Sequence, residues 1–133
     1  MYYFAYGSNL NKKQMKEHCP DSVPKYTANL PNYKLIFSGW ARQWRGGTAS
    51  IKFSRGDKVR GGVYEISESD LRHLDSFEGY PGNSNRLNVT VFTTDDEAIP
   101  AITYIKAGQP EETKPSAEYL TIMQQGCRDW RLF

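Results

Sequence analysis

The chain has 133 residues, 17 Lys+Arg against 15 Asp+Glu, and a 38% hydrophobic share. At ~100–200 residues per domain it is one domain, residues 1–133, able to bury roughly two-thirds of its unfolded surface without disulfides or metal. A net charge of +2 is too small for a dedicated nucleic-acid or membrane protein, and the composition excludes collagen, coiled-coil, solenoid and disordered classes.

Residues 2–6 are aromatic-rich and short, the pattern of a buried strand. Gly7-Ser8-Asn9 is a turn cluster. Good helix formers fill 11–18, and Pro20 stops them. Strand-like stretches follow at about 24–30, 33–38, 48–54 and 59–66, with Tyr33, Leu35 and Phe37 alternating with Lys34 and Ile36. Ser67 and Asp70 resemble a capping box. Leu71, Leu74 and Phe77 then mark one face of a short helix, and Gly79 suits its left-handed end. Pro81 to Asn85 is a loop. Residues 86–94 and 99–106 alternate like two strands joined at Asp95-Asp96-Glu97. Pro115-Ser116 opens a last helix to about Gln125, with Gly126 as its stop. This order predicts an α+β fold: a small, largely antiparallel, barrel-like sheet with a few flanking helices.

Cys19 and Cys127 have neither CxxC spacing nor a His-rich setting, so two reduced thiols are expected and no metal. No apolar run approaches the ~18 residues of a membrane span. The first residues lack the basic and apolar regions of a signal peptide. A soluble, cytoplasmic protein is the expectation.

Three stretches could carry chemistry. Tyr3-Phe4-Ala5-Tyr6-Gly7-Ser8-Asn9-Leu10 runs a strand through a tight turn into a helix. Such a turn exposes backbone N–H groups toward an anion or a developing oxyanion, though it also serves as a plain connection. In Leu74-Asp75-Ser76-Phe77-Glu78-Gly79-Tyr80-Pro81, Glu78 sits at a helix C-terminus. The macrodipole and aromatic neighbours there push a carboxyl toward the pKa of a general base. Asp75 is the rival acid, and a solvated Glu78 is the plain alternative. Trp40-Ala41-Arg42-Gln43-Trp44-Arg45-Gly46-Gly47 interleaves Trp and Arg. That allows base stacking, or a loop whose Trp side chains pack on the core.

Phe4 to Leu10, Trp44-Arg45-Gly46-Gly47-Thr48-Ala49, Gly56-Asp57 with Val59 and Gly61, Leu74-Asp75 before Glu78-Gly79, and Pro115-Ser116 with Tyr119 occur in a familiar order. Together they resemble the γ-glutamylcyclotransferase family over nearly the whole chain. The resemblance implies a small barrel of strands with flanking helices. It implies cleavage of γ-glutamyl amides by cyclisation, giving 5-oxoproline and a free amine. The turn of Tyr6, Gly7, Ser8, Asn9 and Leu10 then holds the γ-glutamyl moiety, Glu78 is the catalytic carboxylate, and Tyr104 helps line the pocket. Arg45 stands where mammalian-type members usually carry histidine, and its donor fork suits the carboxylate of a leaving amino acid. The tyrosine common after the Glu-Gly pair is missing from 82–86. The partner expected is a small γ-glutamyl substrate, bound by a monomer or homodimer without nucleic acid, membrane, metal or cofactor. The alternative is a non-catalytic binding module on the same fold.

Overall fold

The computed structural model describes residues 1–132. Strand β1 (Tyr2–Ala5) leads into a 3-10 turn at Ser8–Leu10 and helix α1 (Lys12–His18). Strands β2 (Val23–Ala41) and β3 (Gly46–Glu65) form one long hairpin. Helix α2 (Glu68–Glu78), strands β4 (Ser84–Thr93) and β5 (Ala98–Lys106), and helix α3 (Ala117–Asp129) complete the order.

The sheet closes in the order β1-β3-β2-β4-β5. Closure comes from a parallel contact between Tyr3 and Ile102. The other pairings among the described residues are antiparallel. The expected barrel with flanking helices is the fold observed.

Alternation along the strands sorts side chains into two cores. Phe4, Leu30, Ile51, Val63, Val91 and Ile99 come from all five strands and fill the barrel. Their chain neighbours Tyr3, Ala5 and Tyr64 face outward and join Leu10, Met15, Leu74 and Trp130 beneath the helices. The β1–β3 wall therefore buries both faces, which is why the first strand reads as continuously apolar.

The local signals for helix ends hold at α2. Ser67 and Asp70 form the reciprocal capping box. Gly79 ends the helix at φ 69°, and the Tyr80 N–H donates 2.8 Å to the Asp75 carbonyl. This fixes where Glu78 can point. Asn11 caps α1 by accepting from the Gln14 N–H at 3.0 Å.

Two expectations need correction. The stretches 24–30 and 33–38 are one strand, and so are 48–54 and 59–66. Pro31-Asn32 and Gly56 look like turn residues but form irregularities within the hairpin, with Asn32 at φ 66° and Gly56 at φ 88°. The two are tied together, Gly56 N–H donating 3.1 Å to Asn32 Oδ1. They bend long strands rather than ending them. The second correction is Gly126, which lies inside α3 rather than after it. Its reason is packing: a Cβ there would fall 2.5 Å from Asn11 N and Leu10 C. Gly126→Ala would force α3 off the turn that carries Gly7. We expect a loss of about 1–3 kcal/mol, typical of overpacking, in chemical denaturation.

Candidate active site

A cavity of about 180 Å³ is lined by Tyr3, Tyr6, Gly7, Ser8, Asn9, Trp44, Glu78, Tyr104 and Tyr119, among others. Parts far apart in the chain make its floor and walls. The turn after β1 supplies backbone. The end of α2 supplies a carboxylate. Strand β5 and helix α3 supply tyrosines.

The turn is held from below. Tyr64 donates its hydroxyl to the Asn9 carbonyl at 2.8 Å, and Trp130 Nε1 donates to the Leu10 carbonyl at 2.9 Å. Within the turn, Leu10 N–H reaches the Gly7 carbonyl at 3.0 Å and Asn11 N–H the Ser8 carbonyl at 3.0 Å. Gln14 Nε2 donates to Ser8 Oγ at 2.9 Å and to Asn9 Oδ1 at 3.2 Å. Asn9 Nδ2 donates to the Tyr3 hydroxyl at 3.2 Å. These bonds use the carbonyls and side chains, while the first N–H groups of a helical turn have no acceptor inside it. The Ser8 backbone also bonds the Tyr119 hydroxyl, which ties the turn to α3.

Glu78 and Asp75 are three residues apart on α2, and their surroundings separate them. Asp75 is spoken for. Arg86 Nε donates to it at 3.0 Å, a second guanidinium nitrogen pairs with its other oxygen, and the Tyr104 hydroxyl donates at 2.6 Å. The Arg86 hydrogen bonds are the main cause that lowers its pKa. Burial, by contrast, raises the Glu78 carboxyl to about 7, with Lys106 pulling the other way. Hydrogen bonding plays no part in the Glu78 shift. Two carboxyls pushed apart in this way divide the labour: one structural anion, one group that titrates near neutrality.

Lys106 is itself half-buried, and burial lowers its pKa. Its Nζ donates to the Thr48 carbonyl at 3.0 Å and to that of Ser38. The hydroxyls of Tyr3, Tyr6, Tyr104 and Tyr119 are all raised, burial first and the Glu78 charge among the further causes. They stay protonated, and the Tyr104 O–H is already given to Asp75. Tyr6 already donates to the Tyr104 carbonyl at 2.5 Å. Tyr119 accepts from the Ala49 N–H at 3.0 Å, and Trp44 packs edge-on against its ring at 5.2 Å.

Of the residues singled out from sequence, Tyr6, Gly7, Ser8, Asn9, Glu78 and Tyr104 meet around this cavity. Leu10 is 1% exposed and lies in the core under the turn. Arg45 lines neither this cavity nor the cleft beside it. It is exposed at the end of the β2–β3 hairpin, at φ 56°. Its N–H donates to the Ala41 carbonyl at 2.8 Å, and that turn carries the side chain away. Trp44, on the same turn, packs inward, whereas Trp40 is 71% exposed. Tyr3, Tyr119 and Lys106 were not singled out as site residues. Each sits in an ordinary strand or helix pattern, and only the closure of the barrel brings it to Glu78. Among the described residues, no group of three or more His, Cys, Asp or Glu is arranged to hold a metal, and no helix is long and apolar enough to cross a membrane.

A family model described as gamma-glutamyl cyclotransferase, AIG2-like, matches residues 3–131. The chain is 33% identical over 132 residues to the gamma-glutamylcyclotransferase of Bos taurus, covering 96% of this chain and 70% of that one. The relative from Homo sapiens gives the same identity and coverage. A solved structure of a gamma-glutamyl cyclotransferase superposes with a TM-score of 0.92 at 31% identity, covering 97% of this chain and 79% of the other.

Proposed function

The chain belongs to the gamma-glutamyl cyclotransferase family, and from that membership we propose that it cleaves a γ-glutamyl amide by attack of the substrate's own α-amino group, releasing 5-oxoproline and a free amine. The supporting observation is Glu78: a carboxyl raised to about 7 by burial, lining the same cavity as the turn at Tyr6–Asn9.

The chemistry needs little from the protein. The nucleophile is already part of the substrate, so no Ser, Cys or metal-bound water is required. The pocket folds the glutamyl chain until its amine meets the γ-carbonyl, and holding that shape removes several kcal/mol of barrier. The α-ammonium gives up a proton to the Glu78 carboxylate. The nitrogen then forms its bond to the γ-carbonyl carbon, and the oxyanion faces the N–H groups of Gly7–Asn9, each good donor contributing roughly 3 kcal/mol. Collapse breaks the bond to the departing nitrogen. Two protons leave the attacking nitrogen and two arrive on the departing amine, with Glu78 as the carrier. Asp75 and Arg86 keep Tyr104 in place beside it.

A cytoplasmic setting belongs to the same reading, supported by two free cysteines. The test is direct. Purified protein is incubated with a panel of γ-glutamyl compounds, and 5-oxoproline is measured. Turnover of at least one supports the reading. Binding of such compounds without 5-oxoproline makes the chain a binding module instead. Exhaustive chelator treatment should leave the rate unchanged. Loss of rate, restored by adding Zn²⁺ or Mn²⁺, would overturn the metal-free mechanism.

A further inference from the structure

Glu78 stands on a wall shared by two hollows. The 180 Å³ cavity holds the turn at Tyr6–Asn9. On the other side lies an open cleft of about 560 Å³, lined by Trp40, Arg42, Phe77, Asn83 and Lys106. Phe77, Glu78, Ala41 and Thr48 border both. The first cavity is smaller than the ~300–1,000 Å³ of ordinary small-molecule sites. It suits a compact head group such as a glutamyl moiety. The shared border at Glu78 puts the cleft where whatever is joined to that group beyond the reacting bond can extend.

The cleft has a marked character. Trp40 is 71% exposed and Phe77 57% exposed, two large apolar side chains on one wall system. Trp40 is there because the hairpin is broken for it. The β2–β3 register shifts between Ser38 and Ala41, and Gly39 takes φ 69°. The Gly39 N–H is turned away from β3 to the Glu111 carbonyl, at 2.9 Å. Such a bulge re-aims a side chain beside a site. The charges are one-sided. Arg42 and Lys106 line the cleft, and among the described residues its only acid is Glu78 itself.

We propose that this cleft is the leaving-group subsite, and that it selects γ-glutamyl amides whose departing amine carries an aromatic side chain and a carboxylate. Trp40 and Phe77 take the ring, and Arg42 takes the carboxylate. An amine that departs with a second ammonium meets two cations and is disfavoured. The proposal rests on the cyclotransferase reading and adds the substrate class to it.

The experiment measures kcat/KM for 5-oxoproline release from four compounds: γ-glutamyl-phenylalanine, γ-glutamyl-alanine, the γ-glutamyl amide of phenethylamine, and γ-glutamyl-ε-lysine. Wild-type protein should prefer phenylalanine to alanine by about 10–100-fold, the range a hydrophobic pocket gives. Trp40→Ala should reduce that ratio to within about threefold. Arg42 is exposed, so its charge contributes modestly, and wild type should prefer phenylalanine to phenethylamine by about 3–5-fold. Arg42→Glu should abolish or reverse that preference, and γ-glutamyl-ε-lysine should gain relative to phenylalanine. Both side chains lie at the surface, so the variants should fold. If γ-glutamyl-alanine turns over and neither variant moves these ratios, the subsite is wrong while the cyclotransferase reading stands. If wild type prefers γ-glutamyl-ε-lysine, the charge argument is overturned. If none of the four yields 5-oxoproline, the subsite falls together with the parent reading.

Discussion

Glu78→Gln should lower single-turnover 5-oxoproline formation by ~10²–10⁴-fold, the usual worth of a positioned acid/base. The amide keeps the size and polarity of the side chain but takes no proton near neutrality. Substrate affinity should change little, because the turn at Gly7–Asn9 provides the holding contacts. Asp75→Asn is the necessary companion. Its carboxylate is bound by Arg86 and Tyr104, so its loss should loosen the wall and reduce stability before it touches the chemistry. A Glu78→Gln variant that keeps more than about a tenth of the wild-type rate falls short of even a weak base, and the assignment fails. If Asp75→Asn is the inactive one, the base lies one helical turn earlier.

The same group sets the pH response. A base must be ionised to act, so kcat/KM should rise with pH through about 7, the value to which burial moves Glu78. Stability should run the other way. The folded-state pKa of about 7 lies above the ordinary 4.5. Between these values the folded chain binds more protons than the unfolded one, so stability falls as pH rises through that window. Glu78→Gln removes the fall. Its thermal stability should exceed wild type at about pH 8, by at most about 3 kcal/mol, and match it near pH 4. A flat difference across that range would mean the carboxyl is solvated in the folded state. Activity lost together with stability gained identifies a functional charge held against the fold's preference.

Much of this site was legible along the chain because its parts are local. The strand into Gly7-Ser8-Asn9, and the helix that ends at Glu78-Gly79, depend on capping and turn chemistry within a few residues. Gly79 reads as a left-handed end, and it adopts one. The separation of Asp75 from Glu78 was not legible in the local sequence, because it is made by Arg86 from β4, which holds Asp75 ionised, and by the burial of Glu78 once the barrel closes. The long hairpin was misread for a related reason. Pro31-Asn32 and Gly56 carry the residues of turns, but each lies opposite the other across a ladder. A local signal cannot tell a strand that ends from a strand that bends. Gly126 repeats the lesson: its missing side chain answers the backbone of Leu10 and Asn11, more than a hundred residues away. Arg45 was placed by its position in the family pattern, between Trp44 and Gly46-Gly47, and a single turn of backbone sends the two side chains in different directions.

Gly7→Val should weaken substrate binding while leaving a folded protein. Gly7 has φ −115° and ψ −136°, which a side chain tolerates in φ, so space is the issue rather than handedness. A Cβ there would fall 3.0 Å from Ala49 Cβ and 3.0 Å from the Tyr119 hydroxyl. Both atoms belong to the cavity wall. The Tyr119 hydroxyl can yield only by giving up the Ala49 N–H that it accepts. Alanine therefore needs a shift of a few tenths of an ångström, and the two methyls of valine need more, in the direction of the bound head group. The part of an overpacking cost of about 1–3 kcal/mol that falls on the filled cavity weakens binding by up to roughly 5–150-fold, and the rest appears as lower stability of the free protein. Gly7→Ala should lie between wild type and valine. The measurement is calorimetric titration of a γ-glutamyl amide into each variant on a Glu78→Gln background, where turnover does not consume the ligand. Thermal unfolding of the same samples separates a blocked site from a lost fold. Affinity that stays at the wild-type level in a folded Gly7→Val protein would take the turn out of the site, and the oxyanion would have to be met by the tyrosine hydroxyls instead.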